Sequence, residues 1–336
     1  MKKIFLSSVM IVVFAVTLSA QHDIKLKFNK DGEFKVLQFT DTHIDYAKNK
    51  NMDMFDMIVK IMAIEKPDVV ILTGDIITGG GEHWDGYKRL GEIFKKAKMP
   101  WAVVFGNHDS ENNTARDKIE AYVEKLPYCL NHDDKNTFGS SDFVLPVLGK
   151  NKKAAALLYC MDSNDYSTLK PVVDGYGWFK FDQIAWYRNK SEEYTKANGG
   201  EPLPALMFFH IPLPEYTKAW ENKKYPPIGV KNEDECSPDV NSGMFVSLLE
   251  KGDVMGTFVG HDHINDYIGI YYNIALAYGR VSKVMPDPVE DPLAGARVIV
   301  LKEGQRKFVT WIRDMNGKKE LEVTYPDTFT LEGREK

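Results

Sequence analysis

The pattern that most constrains the fold of this chain is a repeated unit in which a short apolar strand is followed by a polar loop and an amphipathic helix. The unit starts at Phe34 and recurs as far as Val259. It predicts βαβ crossovers and parallel strands that are buried on both faces. The clearest strands are predicted at residues 34–39, 69–72, 101–105, 206–209 and 254–259. Because ligands of such sheets bind beyond the carboxyl ends of the strands, the residues that follow these strands are candidates for a site.

Apolar residues at helical spacing predict helices between and after these strands. The predicted helices span residues 52–65, 84–98, 115–125, 180–196 and 242–251. Beyond Val259 the pattern changes to short alternating strands, which predicts a second, largely antiparallel sheet. These later strands are expected at 267–278, 295–302 and 307–312. No linker or repeat divides the chain, so residues 24–330 are predicted to form one domain.

Two long polar or proline-containing segments interrupt this pattern, at residues 109–150 and 211–240. Connections of this length in a compact domain tend to carry lids or specificity loops. We therefore expect the parts of the chain that select a substrate to lie in these two segments.

The N-terminus has the layout of a secretory signal peptide. Lys2 and Lys3 precede an apolar run that ends at Leu18, and two small residues and a polar stretch follow it. The run is shorter than the roughly 20 residues that a membrane-spanning helix needs. Residues 1–20 are therefore expected to be removed, and the mature chain is predicted to be periplasmic or extracellular.

Composition and charge exclude several classes of protein. The chain is 43% hydrophobic and 27% charged, as is typical of a soluble globular protein, and its net charge of −5 gives no basic surface for a nucleic-acid polymer. No second apolar segment is long enough to span a membrane. Cys129, Cys160 and Cys236 form no CxxC motif, and whether any of them pair stays open.

Side chains that can bind a metal ion follow each of the clear strands. The candidate ligands are Asp41, His43, Asp75, Asn107, His210, His261 and His263. Oxygen and nitrogen donors without sulfur favour Mn, Fe, Zn or Co over a structural cysteine-zinc site. This set is large enough for two ions, and Asp75, which follows a central strand, is the candidate bridge between them.

The order of these motifs resembles a known family. The motifs are Asp41-x-His43, Gly74-Asp75, Gly106-Asn107-His108-Asp109, His210 and Gly260-His261-x-His263. Together they look like the motif set of the calcineurin-like metallophosphoesterases, and the stretches that follow His210 and Gly260 are similar to the purple-acid-phosphatase-related branch. The resemblance implies an α/β fold, a four-layer α-β-β-α sandwich with two mixed β-sheets.

The resemblance also implies roles for individual residues. One ion would be bound by Asp41, His43, Asp75 and His263, and the second by Asp75, Asn107, His210 and His261. His108 would stand beside the two ions as the catalytic residue, and it would protonate the leaving oxygen or bind the transferring phosphoryl group. The ions are expected to be two divalent or iron-type cations.

This chain departs from the true purple enzymes at Thr78. Those enzymes carry a tyrosine iron ligand at this position, and they lack the histidine that Asp41-x-His43 supplies, so no tyrosinate colour is expected here. Thr78 also stands where some relatives carry an aspartate that orients the catalytic histidine.

The predicted function is that of a secreted or periplasmic phosphomonoesterase that uses two metal ions and a bridging hydroxide nucleophile. Its partner would be a small phosphate ester, with substrate contacts from Asn107, His108, Arg280 and Tyr216. A phosphodiesterase or pyrophosphatase on the same centre is an alternative, because the ester class depends on the loops. A non-catalytic metal-dependent binding module is the alternative from a different class.

Overall fold

The computed structural model describes residues 24–78, 83–111, 114–133, 137–283 and 293–330. The predicted signal peptide lies outside these residues. The strands are β1 (Glu33–Phe39), β2 (Val69–Thr73), β3 (Trp101–Val104), β4 (Phe143–Leu148), β5 (Ala154–Cys160), β6 (Ala205–Phe208), β7 (Val254–Val259), β8 (Ile268–Tyr271), β9 (Ile274–Tyr278), β10 (Gly295–Lys302), β11 (Phe308–Asp314) and β12 (Lys319–Tyr325). The helices are α1 (Met54–Glu65), α2 (His83–Ala97), α3 (Arg116–Val123), α4 (Phe181–Ala197), α5 (Glu215–Trp220) and α6 (Met244–Lys251), and a short 3-10 helix follows at Asp327–Phe329.

The strands form two six-stranded mixed sheets. The first has the order β12-β11-β10-β1-β2-β3, and the second has the order β4-β5-β6-β7-β9-β8. In the first sheet β1, β2 and β3 are parallel, whereas β10 pairs antiparallel with β1. In the second sheet β5, β6, β7 and β9 are parallel and the two edge strands are antiparallel. This arrangement confirms the α/β fold with two mixed sheets.

Three apolar clusters define the layers of the sandwich. The central cluster lies between the sheets and contains Val36 of β1 together with Phe208 and Phe258 of the second sheet. Leu37, the next residue of β1, points to the opposite face and packs in the cluster that α1 and α2 cover. The third cluster joins the outer face of the second sheet to α4 and α6, where Tyr187 is buried. Alternate residues of the buried strands therefore serve two cores, which explains their continuous apolar sequence.

The sequence predicted the five helices to within two residues at each end, but it misplaced the later strands. The expected separate antiparallel sheet does not form: β8 and β9 join the second sheet, whereas β10, β11 and β12 join the first. The pairing of β1 with β10, in which Glu33 lies opposite Lys302, accounts for this division. Strands β4, β5 and β12 and helix α5 were not predicted, and β4 lies within the segment expected to be a connection.

The described residues include no helix that is both long and apolar enough to cross a lipid bilayer. The three cysteines are all free thiols; Cys129 and Cys160 are buried and Cys236 is exposed.

Candidate dinuclear metal centre

The candidate ligands meet at one end of the sandwich, where the loops after β1, β2, β3, β6 and β7 come together. The structure brings six of the seven into two groups whose donor atoms lie within 4.8 Å of one another. The first group is Asp41, His43 and His263, and the second is Asp75, His210 and His261. Each group takes residues from both sheets, so the site depends on how the two sheets pack.

In the first group, two imidazole nitrogens and a carboxylate oxygen converge. The Nε2 atoms of His43 and His263 lie 2.9 Å apart. The Oδ1 atom of Asp41 lies 3.6 Å from His263 Nε2 and 4.0 Å from His43 Nε2. Lone pairs this close repel one another unless a proton or a cation lies between them. The donor set and its convergence therefore fit a metal ion of the borderline class.

The second group has the same character. His210 Nε2 lies 3.2 Å from Asp75 Oδ2 and 3.3 Å from His261 Nδ1. The other ring nitrogen of His210, Nδ1, lies 2.8 Å from the carbonyl oxygen of Thr73 and donates to it. This hydrogen bond leaves Nε2 free as the ligand atom, as the outer partners of metal-binding histidines commonly do.

Asp75 connects the two groups. Its Oδ2 atom lies 3.2 Å from His210 Nε2 and 3.8 Å from His43 Nε2, so one carboxylate faces a donor of each group. Its Oδ1 atom accepts the backbone N–H of His108 at 2.9 Å. This placement is the one expected for a carboxylate that bridges two ions.

Asn107 supplies a further observation that fits a cation. Its Oδ1 atom is buried and has no hydrogen-bond partner among the described residues. Its Nδ2 atom donates to the hydroxyl of Tyr166 at 3.4 Å. A buried carbonyl oxygen without a partner is uncommon, and an ion at this point would satisfy it.

The buried acids and histidines of the site have shifted pKa values. Burial alone would raise the pKa of Asp41, but the hydrogen bond and the charge of nearby histidines lower it to about 2. Burial lowers the pKa of His43 to about 4. Burial and the charge of His210 together lower the pKa of His261 to about 3. Burial opposes the charged form of His210, yet the Asp75 carboxylate raises its pKa to about 9. The Asp75 carboxylate thus favours the protonated form of His210, and a bound cation would compete with that proton.

Four of the candidate ligands have backbone conformations that are uncommon for residues other than glycine. The φ angles are +52° at Asp41, +44° at His43, +53° at Asp75 and +80° at His261. Backbone hydrogen bonds between the loops hold two of them, from Asp41 N–H to the Gly74 carbonyl and from His43 N–H to the Asp75 carbonyl. Such conformations concentrate at functional sites, where the surrounding structure imposes them.

Asp109 fixes the loops that carry Asp75 and Asn107, and sequence reasoning assigned it no role. Its buried carboxylate accepts the backbone N–H groups of Asp75 and Gly106 at 2.8 Å, and that of Ile76 at 2.9 Å. Burial and the nearby Asp75 charge raise its pKa. The signal in the sequence was its place at the end of the Gly106-Asn107-His108-Asp109 motif.

His108 lies beside the two donor groups, as the motif predicted. Its Nε2 atom lies 4.0 Å from Asp75 Oδ2, and 37% of its side chain is exposed. Its Nδ1 atom lies 2.7 Å from Oε1 of Glu111, a residue that sequence reasoning missed. Thr78 stands at the position where some relatives carry an orienting acid. Its backbone N–H donates to the carbonyl oxygen of Ile44.

Two tyrosines that sequence reasoning missed border the second group. The Tyr176 ring packs perpendicular to that of His261, with 4.3 Å between the centroids. Tyr166, whose hydroxyl meets Asn107, stacks on Tyr176 at 6.0 Å. Isolated tyrosines in a connecting loop carry no local signal of this kind.

Ser110, two residues after His108, lines a polar cavity of about 510 Å³. Arg116 lines it, pairs with Asp162 and donates to the carbonyl of Gly106 at 2.6 Å. The position of Arg116 ties the wall of this cavity to the loop that carries Asn107 and His108.

The two remaining substrate candidates, Tyr216 and Arg280, lie outside the two donor groups. Tyr216 has no exposed surface, and its hydroxyl is 2.8 Å from the Thr257 hydroxyl within the core of the second sheet. Arg280 is buried, and its guanidinium pairs with Asp266 and Glu320. Both side chains are engaged in internal contacts.

Two named proteins are similar to this chain in sequence. The chain is 32% identical over 309 residues to the Arabidopsis thaliana protein named probable inactive purple acid phosphatase 29, covering 82% of this chain and 78% of the relative. It is 30% identical over 273 residues to the Saccharomyces cerevisiae phosphatase DCR2, covering 72% of this chain and 46% of that protein. The chain thus spans about half the length of the yeast phosphatase.

Among solved structures, a dimetal phosphatase from Danio rerio is similar in fold, with a TM-score of 0.58 at 14% identity, covering 88% of this chain and 99% of that one. At this identity the likeness shows the fold alone. The family model of the calcineurin-like phosphoesterases matches residues 34–265. Since this match covers well over half of the chain and includes every candidate ligand, the protein belongs to the calcineurin-like phosphoesterase family.

Proposed function

We propose that this protein is a dinuclear metal-dependent phosphomonoesterase. The observation that carries the proposal is the position of the Asp75 carboxylate. It faces a histidine of each donor group, at 3.8 Å and 3.2 Å, and His108 Nε2 stands 4.0 Å from the same oxygen. The Asp75 carboxylate thus lies between two candidate cation positions, with a candidate proton donor beside it.

The residues divide the work of hydrolysis. Asp41, His43, Asp75 and His263 would hold one ion, and Asp75, Asn107, His210 and His261 would hold the other. Bound ions supply Lewis acidity, which makes water acidic enough to attack near neutral pH and offsets the charge of the phosphoryl oxygens. In its doubly protonated form, His108 would give its Nε2 proton to the leaving oxygen as the P–O bond breaks, and the neutral ring would keep its proton on Nδ1. The leaving oxygen keeps the bonding pair of that bond, and Nε2 keeps the pair of its N–H bond.

Several features support a small monoester as the substrate. The net charge of −5 gives the chain no basic surface for a polyanion. The cavity beside Ser110 is large enough for a small organic group, and its wall carries both an arginine and two acids, Asp162 and Asp165. A relative that covers most of this chain bears the name of a phosphatase. A diester or a pyrophosphate would use the same donor groups, so the ester class needs a direct test.

Metal reconstitution of the purified protein tests the proposal. The metal-free chain is loaded separately with Mn, Fe, Zn and Co, and elemental analysis is combined with assays on p-nitrophenyl phosphate and on its bis ester. We expect two ions per chain and faster hydrolysis of the monoester. Preference for the bis ester would make the protein a phosphodiesterase. An Asp75→Asn variant with unchanged metal content and activity would contradict the proposal.

A non-catalytic metal-binding module is the second candidate, and one specific observation favours it. The Arabidopsis relative that covers most of this chain is named as an inactive purple acid phosphatase. Two stoichiometric ions without hydrolysis of any phosphomonoester, phosphodiester or nucleotide would establish this alternative.

We also propose that the protein is exported after removal of residues 1–20. The apolar run behind Lys2 and Lys3 supports this proposal. Mass spectrometry of the protein recovered outside the cytoplasm should give a chain that starts near Gln21. An intact Met1 in the exported protein would contradict it.

A further inference from the structure

A short contact joins His108 to Glu111 in the loop after β3. The His108 Nδ1 atom lies 2.7 Å from Glu111 Oε1. The backbone N–H of Glu111 donates to the His108 carbonyl at 3.2 Å, so a turn connects the two residues. The turn, rather than a helix, therefore brings these side chains to the same side of the loop.

The main chain of His108 is fixed independently of its ring. Its backbone N–H donates to Asp75 Oδ1 at 2.9 Å, which ties the loop to the candidate bridging carboxylate. The ring itself is 37% exposed, and its Nε2 atom lies 4.0 Å from Asp75 Oδ2. Without a contact at Nδ1, an exposed imidazole can rotate about its side-chain bonds, and Nε2 would leave this position.

An ionised carboxylate accepts hydrogen bonds and cannot donate them, so the contact assigns a proton to Nδ1 of His108. The nitrogen that faces the donor groups is then Nε2. We propose that Glu111 is a positioning residue that holds the His108 ring so that Nε2 points at the reacting phosphoryl group. The proposal rests on the proposed function, and it deepens that function by naming a residue on which the proton donor depends.

The acid that contacts the His108 ring does not come from the position of Thr78. Thr78 carries no carboxylate, and its backbone N–H is bonded to Ile44 on the β1 side of the site. Glu111 instead approaches the His108 ring from the loop that carries His108 itself. The orienting acid and the proton donor are therefore three residues apart in the same turn.

Three variants at one position separate orientation from charge. Glu111→Ala removes the acceptor, and kcat should fall about 10- to 100-fold with KM changed less than about twofold. Glu111→Gln keeps an acceptor oxygen without the charge and should retain kcat to within several-fold of the parent. Because the ring donates a proton to the leaving oxygen, the loss in Glu111→Ala should be larger with phenyl phosphate than with p-nitrophenyl phosphate, whose leaving group needs a proton less.

Glu92→Gln is the matched control. Glu92 is an exposed acid that also lies three residues from a basic partner, Arg89, at 3.7 Å. Its substitution removes the same charge far from His108, and kcat should stay within twofold of the parent. If Glu111→Gln loses as much kcat as Glu111→Ala, or if neither variant changes kcat, the positioning role is overturned.

A measurement on the metal-free protein keeps the inference testable without activity. Histidine labelled with ¹⁵N should show a ring N–H signal at Nδ1 of His108, assigned from its absence in His108→Asn. The signal should persist in Glu111→Gln and disappear through solvent exchange in Glu111→Ala. Persistence in Glu111→Ala would overturn the contact. If the parent protein hydrolyses no phosphate ester, the proposed function fails, and this signal still decides whether Glu111 holds the ring.

Discussion

Asp142 is a fully buried acid, and its replacement by asparagine should stabilise the protein above neutral pH. Burial raises the pKa of Asp142 to about 7, although hydrogen bonds from Thr137 and Gln183 oppose this rise. A carboxyl group whose pKa is higher in the folded state binds more protons there than in the unfolded chain. The folded state is therefore favoured at low pH, and this contribution is lost as the pH rises from about 4 to 7.

The magnitude follows from the difference between 3.8 and about 7. At about 1.4 kcal/mol per pKa unit, the ionised carboxylate lowers the free energy of unfolding by about 4 kcal/mol at high pH. Between pH 5 and pH 8 the same shift accounts for about 3 kcal/mol. Asparagine carries no charge and so avoids this loss.

Most of the contacts of Asp142 can be kept by an asparagine. Gln183 Nε2 donates to both carboxylate oxygens, at 3.2 and 3.0 Å, and would keep only the first as its acceptor, a loss that is the same at every pH. One carboxylate oxygen accepts the backbone N–H of Asp162 at 2.9 Å, and an asparagine oxygen can do the same. The other oxygen accepts the Thr137 hydroxyl at 2.6 Å. An asparagine amide there would donate to that hydroxyl, which can turn its proton to the carbonyl of Gly139, 3.4 Å away.

Urea unfolding of metal-free protein at pH 5 and pH 8 measures the effect. The gain in unfolding free energy of Asp142→Asn over the parent should be about 3 kcal/mol larger at pH 8 than at pH 5. Asp182→Asn, an exposed acid at the start of α4, is the control and should show no such difference. A gain that is the same at both pH values, or a less stable variant at pH 8, would refute the reasoning.

Three further substitutions test the site and the core. Asp75→Asn should reduce bound metal from two ions per chain to one or none by elemental analysis, and retention of both ions would argue against bridging. Gly260→Ala would place a methyl group against the Thr40 hydroxyl and the Asp41 carboxylate. Metal affinity measured by titration should fall at least about tenfold, and an unchanged affinity would contradict this expectation. Tyr216→Phe removes a buried hydroxyl that is bonded to Thr257. The free energy of unfolding should drop by about 1 kcal/mol while KM stays constant, and a changed KM would mean that Tyr216 affects substrate binding.

The metal ligands could be predicted from the sequence because each one lies within four residues of the end of a strand with a clear apolar pattern. His210 comes two residues after the end of β6, and His261 two residues after the end of β7. Parallel strands end at the same edge of a sheet, so the order along the chain was enough to predict convergence there. The division of these strands between two sheets did not affect the prediction, since both sheets end at the site.

Two of the missing strands, β4 and β5, had weak local signals. Strand β4 contains Pro146, a residue that argues against a strand interior, and β5 begins with alanines, which have low β propensity. The partner of β1 could not be predicted either. It is β10, which lies more than 250 residues later, and nothing local in either strand specifies that pairing.

Side-chain partners were the least predictable feature. Arg280 was expected to bind phosphate, but Asp266 and Glu320 neutralise it, and the latter acid comes from the edge strand β12. Glu111 meets His108 because of the conformation of one turn. Such contacts depend on the completed fold, whereas the ligand positions depend on strand ends alone.

The two donor groups draw residues from opposite halves of the sandwich: Asp41 follows β1 of the first sheet, and His263 follows β7 of the second. A cation bound by such a group would hold the two sheets together. At a free concentration one hundred times its dissociation constant, each ion would add about 2.7 kcal/mol to the free energy of unfolding. Depletion of transition metal from the surroundings would then expose the chain to proteases, and its lifetime would follow the metal supply.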